Sequence, residues 1–208
     1  MDRNYRLIQS INARFSDNDD EPKTEEGGQE AVFLRLLKTR NILLSGQINK
    51  ALGERVIRQL LLLEEAGDDP IRVFIDSPGG DADAGYAIFD MMRFVKPDVY
   101  TIGMGLVASA GALILLAAPK ERRIGLPNSH YLIHQPLSGI RGVATEIEIH
   151  ARELEKLRKK INQLISDETG QDLAKVEQDT DRDFWMNAVE AHEYGLISSV
   201  ISSREELP

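Results

Sequence analysis

From Ala31 onward the apolar positions fall into blocks that alternate between helical and strand periods. Ala31 to Lys38 reads as a short helix, and Asn41 to Ser45 as a strand stopped by Gly46. Asn49 to Ala66 carries Val56, Ile57, Leu60, Leu61 and Leu63 on one side and ends at Gly67-Asp68-Asp69-Pro70, which predicts a helix. Ile71 to Ile75 is a strand, Asp76-Ser77-Pro78-Gly79-Gly80 a turn, and Ala82 to Val95 a second helix. Lys96-Pro97-Asp98 then leads into Val99 to Pro119, a run without one charged residue. It opens on a strand, Val99-Tyr100-Thr101-Ile102, is punctuated by Gly103, Gly105 and Gly111, and reads as helix-like from Leu106 to Ala118. Arg122 to Ile124 and His130 to Ile133 are strand-like. A long helix runs from about Ala144 to Asp167, and a short one lies near Asp172 to Asp179. A polar turn, a small helix Ala188 to Tyr194 and a last strand Leu196 to Ile201 complete the chain. Strands alternating with helices of this length predict an α/β layered fold with parallel pairing.

The long helix stands apart. Its apolar positions Leu154, Leu157, Ile161 and Leu164 step by 3, 4 and 3, with Glu153, Glu155, Arg158 and Lys159 alongside. So narrow a seam predicts an interaction surface. Residues 1–29 are polar and acidic, with Pro22, Gly27 and Gly28, and predict a mobile arm ahead of one domain over 30–208.

Composition narrows the function. The tract Ser16 to Glu30, at the end of the arm, holds seven acids against Lys23 and supplies most of the net charge of −9, leaving a body close to neutral. That argues against nucleic acid as a partner, since a nucleic-acid surface needs a basic face. The absence of cysteine excludes disulfides and a thiol nucleophile, and fits a reducing, cytoplasmic compartment. The N-terminus has no apolar core of a signal peptide. The helix-like part of the uncharged run is too short to span a bilayer, so no membrane is expected as a partner.

Ser109 sits near the middle of that run, between Ala108 and Ala110. Taken alone it reads as the cap of a buried helix. It also reads as a nucleophile, with small neighbours and free helix-start amides around it, provided a base exists elsewhere. Of four histidines, His150 and His192 lie in charged helical surroundings. His130 and His134 are spaced for zinc only on a helix; on a strand the rings lie about 13 Å apart. His134 ends its strand just before Gln135-Pro136, where α/β folds place reactive groups. An orienting carboxylate is available from Asp179, Asp181 or Asp183, ahead of Phe184-Trp185-Met186, and the residues alone do not choose among them. The paired glycines Gly79-Gly80 would let backbone N–H groups face a ligand; Asp81 and Asp83 beside them make phosphate a poor fit.

These pieces recur together in one family. Arg35-Leu-Leu-Lys, Ser77-Pro-Gly-Gly, Lys96-Pro-Asp-Val, Gly105-x-x-Ala-Ser-x-Gly, Leu126-Pro-Asn-Ser, Ile133-His-Gln-Pro-Leu, Asp181-Arg-Asp and Glu193-Tyr-Gly-Leu-Ile resemble the proteolytic subunits of the ATP-dependent Clp protease. The resemblance covers about Leu34 to Ile201. It implies a ClpP/crotonase-like fold of repeated β-β-α layers with a protruding handle helix, here about 144–167. It implies a serine endopeptidase in which Ser109 is the nucleophile, His134 the base and Asp183 the third triad member, with the backbone amides of Gly80 and Ala110 as the oxyanion hole. No cofactor is implied in the subunit itself, ATP being used by a partner AAA+ unfoldase. The implied assembly is a homo-oligomer of two stacked heptameric rings acting on unfolded proteins. The alternative is a weakly active or non-catalytic ring subunit partnering an active paralogue. Ala110 stands where the family usually has Met. Phe74 and Phe94 match the aromatic cluster that docks the unfoldase, while Arg72 and Ile124 replace aromatics there. The acidic arm does not match the family's axial-pore segment and reads as a longer pore loop or a propeptide.

Overall fold

The computed structural model of the chain describes residues 35–207; the acidic arm lies outside them. Residues 35–38 are helical; the start of the helix expected over Ala31 to Lys38 lies outside the described residues. Beyond it, β1 (Asn41–Ser45), β2 (Ile71–Ser77), β3 (Val99–Ala108), β4 (Arg123–Gly125) and β7 (Ser199–Val200) lie side by side, all parallel. β5 (His130–Ile133) pairs in parallel with the far end of β3, and β6 (Phe184–Asn187) runs antiparallel to β5.

α1 (Lys50–Ala66), α2 (Ala82–Phe94) and α3 (Ala110–Leu115) cover one face of the sheet. Ile42, Leu44, Val73 and Ile75 on the strands meet Val56, Leu60, Ile88 and Leu115 on the helices, all fully buried. Burying each Leu or Ile contributes about 1.5–3 kcal/mol, which explains how a six-residue α3 persists when a free helix that short would not. The other face carries a small cluster of Ile102, Ile124 and Ile201 with Phe74, Leu126 and Leu207 against it.

α4 (Ala144–Thr169) has two halves. Ile161 and Ile165 in its second half are buried against the domain, with Leu157 and Leu164 packed beside them. Its first half stands in solvent, with Ile147 and Ile149 exposed. The protruding handle is therefore there, but much of the Leu157–Leu164 seam packs on its own domain. α5 (Leu173–Asp179) and α6 (Ala188–Tyr194) follow.

Three elements differ from the sequence reading. β3 runs on to Ala108, where a glycine-punctuated turn and helix were expected. The strand absorbs its glycines as an irregularity: register shifts between Ile75 and Ser77, and Gly105 takes φ +54°. Phe184–Asn187 is a strand and not a turn. The last strand shrinks to Ser199–Val200 because Leu196 and Ile197 turn inward to the core instead. Among the described residues no helix is long and apolar enough to cross a membrane.

Candidate active site

The site grows from the break in β3. Asp76 Oδ1 accepts the Leu106 N–H at 3.0 Å. A Cβ on Gly105 would lie 2.7 Å from that same oxygen, so only glycine lets the strand kink here. Past the kink β3 leaves β4 and joins β5, with Ala108 paired to Leu132. The Ser109 N–H makes the last tie, to Leu132 O at 2.9 Å.

Ser109 then turns sharply, at φ 55° and ψ −121°. Such a backbone costs about 1–3 kcal/mol and survives only where the surroundings enforce it. The helix-cap reading of Ser109 fails here. Asn49, Asp81, Asp172 and Asn187 each spend a side chain on a first-turn amide of the helix that follows, whereas the Ser109 side chain makes no cap hydrogen bond.

The Gly79-Gly80 turn packs directly on this residue. A Cβ on Gly79 would lie 2.6 Å from Ser109 Cβ, and one on Gly80 would lie 2.1 Å from Ile48 O. Most amides in the turn are spent. Gly79 N–H donates to Ser77 Oγ at 3.1 Å, and Asp81 N–H to Ile48 O at 2.9 Å. Gly79 O accepts Ile48 N–H at 2.8 Å. Gly80 N–H and Ala110 N–H have no hydrogen-bond partner among the described residues, and both residues line one cleft with Ser109.

The opposite wall comes from β5 and β6. Their register pairs Ile133 with Phe184, so the next residues out, His134 and Asp183, face each other. His134 Nδ1 lies 3.2 Å from Asp183 Oδ1; the imidazole is 14% exposed and the carboxylate 63%. The other two acids are engaged elsewhere. Asp179 takes Lys175 Nζ at 2.6 Å and the Tyr194 hydroxyl at 2.9 Å, while Asp181 faces Arg158 at 3.3 Å and Gln135. His130 stands at the far end of β5 opposite Asn187, and His150 meets Ser138 Oγ at 2.6 Å on the handle. No hydrogen bond joins Ser109 Oγ to His134, although both line the cleft; in ligand-free sites such contacts commonly tighten only on substrate binding.

The cleft holds about 370 Å³. Beyond the polar end its walls are Leu113, Leu116, Leu157 and Ile161. Among the described residues no three metal-ligating side chains converge. A hydroxyl on a strained turn, an imidazole backed by a carboxylate and two unspent amides are the parts acyl transfer needs. Sequence reasoning missed Ser77 beneath the turn and the Leu157–Ile161 wall. Helical spacing signalled that wall, but as an outward seam.

A family profile described as Clp protease matches residues 24–204. The chain belongs to the Clp protease family. It is thus a serine peptidase of Clp type. It is 62% identical over 195 residues to an ATP-dependent Clp protease proteolytic subunit 2 of Treponema denticola, covering 93% of this chain and 98% of that one. It is 48% identical over 194 residues to proteolytic subunit 3 of Rhizobium meliloti, covering 93% and 100%. Among solved structures, a point mutant of ClpP1 from Listeria monocytogenes superposes with a TM-score of 0.80 at 47% identity, over 85% of this chain and 99% of that one. The α/β fold with its parallel sheet is the one that this relative shares.

Proposed function

We propose that this Clp protease subunit hydrolyses unfolded proteins through Ser109, His134 and Asp183. The observation that carries this reading is the pairing of Ile133 with Phe184, which sets Asp183 against His134 on the same cleft as the uncapped Ser109 hydroxyl. His134 takes the Ser109 proton as Oγ bonds to the scissile carbonyl carbon. Gly80 N–H and Ala110 N–H receive the oxyanion, and Asp183 steadies the imidazolium. Collapse breaks the C–N bond, with the His134 proton passing to the leaving amine. A water, deprotonated by His134, then resolves the acyl-enzyme. The apolar wall would hold substrate side chains. The subunit needs no cofactor of its own.

The same reading gives the chain a homo-oligomer of two stacked heptameric rings, an AAA+ unfoldase that spends ATP, a cytoplasmic location, and residues 30–208 as one protease domain behind the arm. The half-free handle with exposed Ile147 and Ile149 suits contact with another subunit, and the open sheet face around Phe74 and Leu126 suits an apolar docking residue. One observation favours a second reading. The relatives are numbered subunits 2 and 3, as suits rings shared with a paralogue, in which this subunit would be weakly active or silent. A fluorophosphonate probe on the assembled protein separates the two. The proposal expects labelling lost in Ser109→Ala together with degradation of an unfolded protein; an unlabelled, inactive homo-oligomer supports the second reading.

A further inference from the structure

The amides left free in the turn depend on those already taken, and one buried hydroxyl decides this. Ser77 ends β2 and is fully buried. Its hydroxyl donates to Gly46 O at 2.7 Å, which points the proton away and leaves a lone pair for Gly79 N–H at 3.1 Å. Gly46 is itself tied back to β2 through its own N–H to Asp76 O at 3.0 Å, so the acceptor is fixed. On the other side Ser77 touches the nucleophile helix: a Cβ on Gly111 would lie 3.2 Å from Ser77 O and 3.4 Å from Ser77 Cβ. Ser77 therefore contacts the loop before α1, the glycine turn and the second residue of α3.

The geometry points to Ser77 as a positioning residue for peptide hydrolysis. It rests on the reading of Gly80 N–H as an oxyanion donor. The peptide plane between Gly79 and Gly80 is held by Ile48 N–H at its carbonyl end, so its N–H is directed the opposite way. The plane before it is held by Ser77 through Gly79 N–H. Together the two anchors fix both dihedrals of Gly79, at φ +90°, and with them the aim of Gly80 N–H. Glycine has no side chain to resist rotation. Without the Ser77 oxygen the Gly79 N–H is free to turn, and the oxyanion donor turns with it. Because a carbonyl substrate in its ground state does not use this donor fully, the loss falls on the transition state.

The test compares assembled wild type, Ser77→Ala and Ser77→Cys on a fluorogenic peptide, with a peptide aldehyde as transition-state mimic. We expect Ser77→Ala to lower kcat about 10- to 100-fold with KM within about twofold, and to weaken the aldehyde by the same factor as kcat/KM. Ser77→Cys, whose sulfur is a weaker acceptor, should recover part of both, and it decides the matter should the alanine variant not assemble. A kcat within about threefold of wild type, or a fall in kcat with unchanged aldehyde affinity, overturns the proposal. Cleavage by wild type that persists in Ser109→Ala would overturn the reading beneath it, and the proposal with it.

Discussion

Asp183→Asn puts a number on the part of the site most open to water. The carboxylate lies 3.2 Å from His134 Nδ1, yet 63% of its side chain is exposed. The imidazolium formed during attack is stabilised by about 1.3 kcal/mol at that distance in bulk water, and by about 5 kcal/mol at the effective dielectric of about 20 common near protein surfaces. A carboxylate wetted on most of its surface belongs between these limits, near about 2.5 kcal/mol, which is roughly a 10²-fold loss of kcat. That is well short of the roughly 10⁴-fold loss for a buried triad acid, whose amide replacement is locked onto the imidazole and holds it in the wrong tautomer; a mostly exposed amide is free to turn away to water. The assay is steady-state cleavage of a fluorogenic peptide, with sedimentation confirming that the variant assembles as wild type does. A loss under about threefold would mean that Asp183 does not serve His134. A loss as complete as that of Ser109→Ala would mean that the exposed carboxylate does far more than electrostatics at this distance allows.

Gly80→Ala should abolish turnover and lower the melting temperature, because the new methyl meets Ile48 O at 2.1 Å on a backbone at φ +148°; an active, stable variant would contradict the geometry of the turn. Glu168→Gln should destabilise the fold by about 3–5 kcal/mol in denaturant unfolding. It leaves Arg123, fully buried and paired to Glu168, with an uncompensated charge, and it removes the partner that Arg93 meets at 2.5 Å. Burial lowers the pKa of Arg123 while Glu168 holds it up, so the variant should also sharpen that cost. Tyr131 has its phenol pushed up to about 12 by burial, against a smaller opposing effect of Ser129. Its folded pKa lies above the unfolded value near about 10, so the stability it contributes is intact below about pH 10 and is lost as pH rises towards about 12. Tyr131→Phe should flatten the alkaline limb of the stability curve over that window; an unchanged slope would refute the assignment.

The regular elements were legible because apolar spacing and punctuation agree in them. The helix read over Asn49 to Ala66 is α1, with Gly67 ending it as expected and Asn49 standing just outside as its cap, accepting Leu52 N–H at 2.9 Å. What stayed hidden depended on pairing between distant segments. Glycine punctuation at Gly103 and Gly105 suggests a break, and only the contact with Asp76 shows that the strand continues through it. Phe184–Asn187 is four residues long, without enough length to display a period, so its strand character comes from β5. Which of Asp179, Asp181 and Asp183 lies against His134 waited on that same register. Leu157 and Ile161 have the spacing of a seam whichever way they face, and the direction is settled by their packing on the core and their place in the cleft wall.

The handover of β3 from β4 to β5 has a mechanical consequence. Ser109 is carried by β3 and α3, while His134 and Asp183 are carried by β5 and β6, and the two groups are stitched last at Ser109 N–H and Leu132 O. Only Ile133 separates that stitch from His134. His134 and Asp183 are therefore held as one unit, and the Ser109 hydroxyl as another. The Gln135 N–H, tied to Thr180 O at 2.6 Å, holds the chain just past His134 to the turn that leads into Asp183, so the imidazole and its carboxylate keep their spacing whatever Ser109 does.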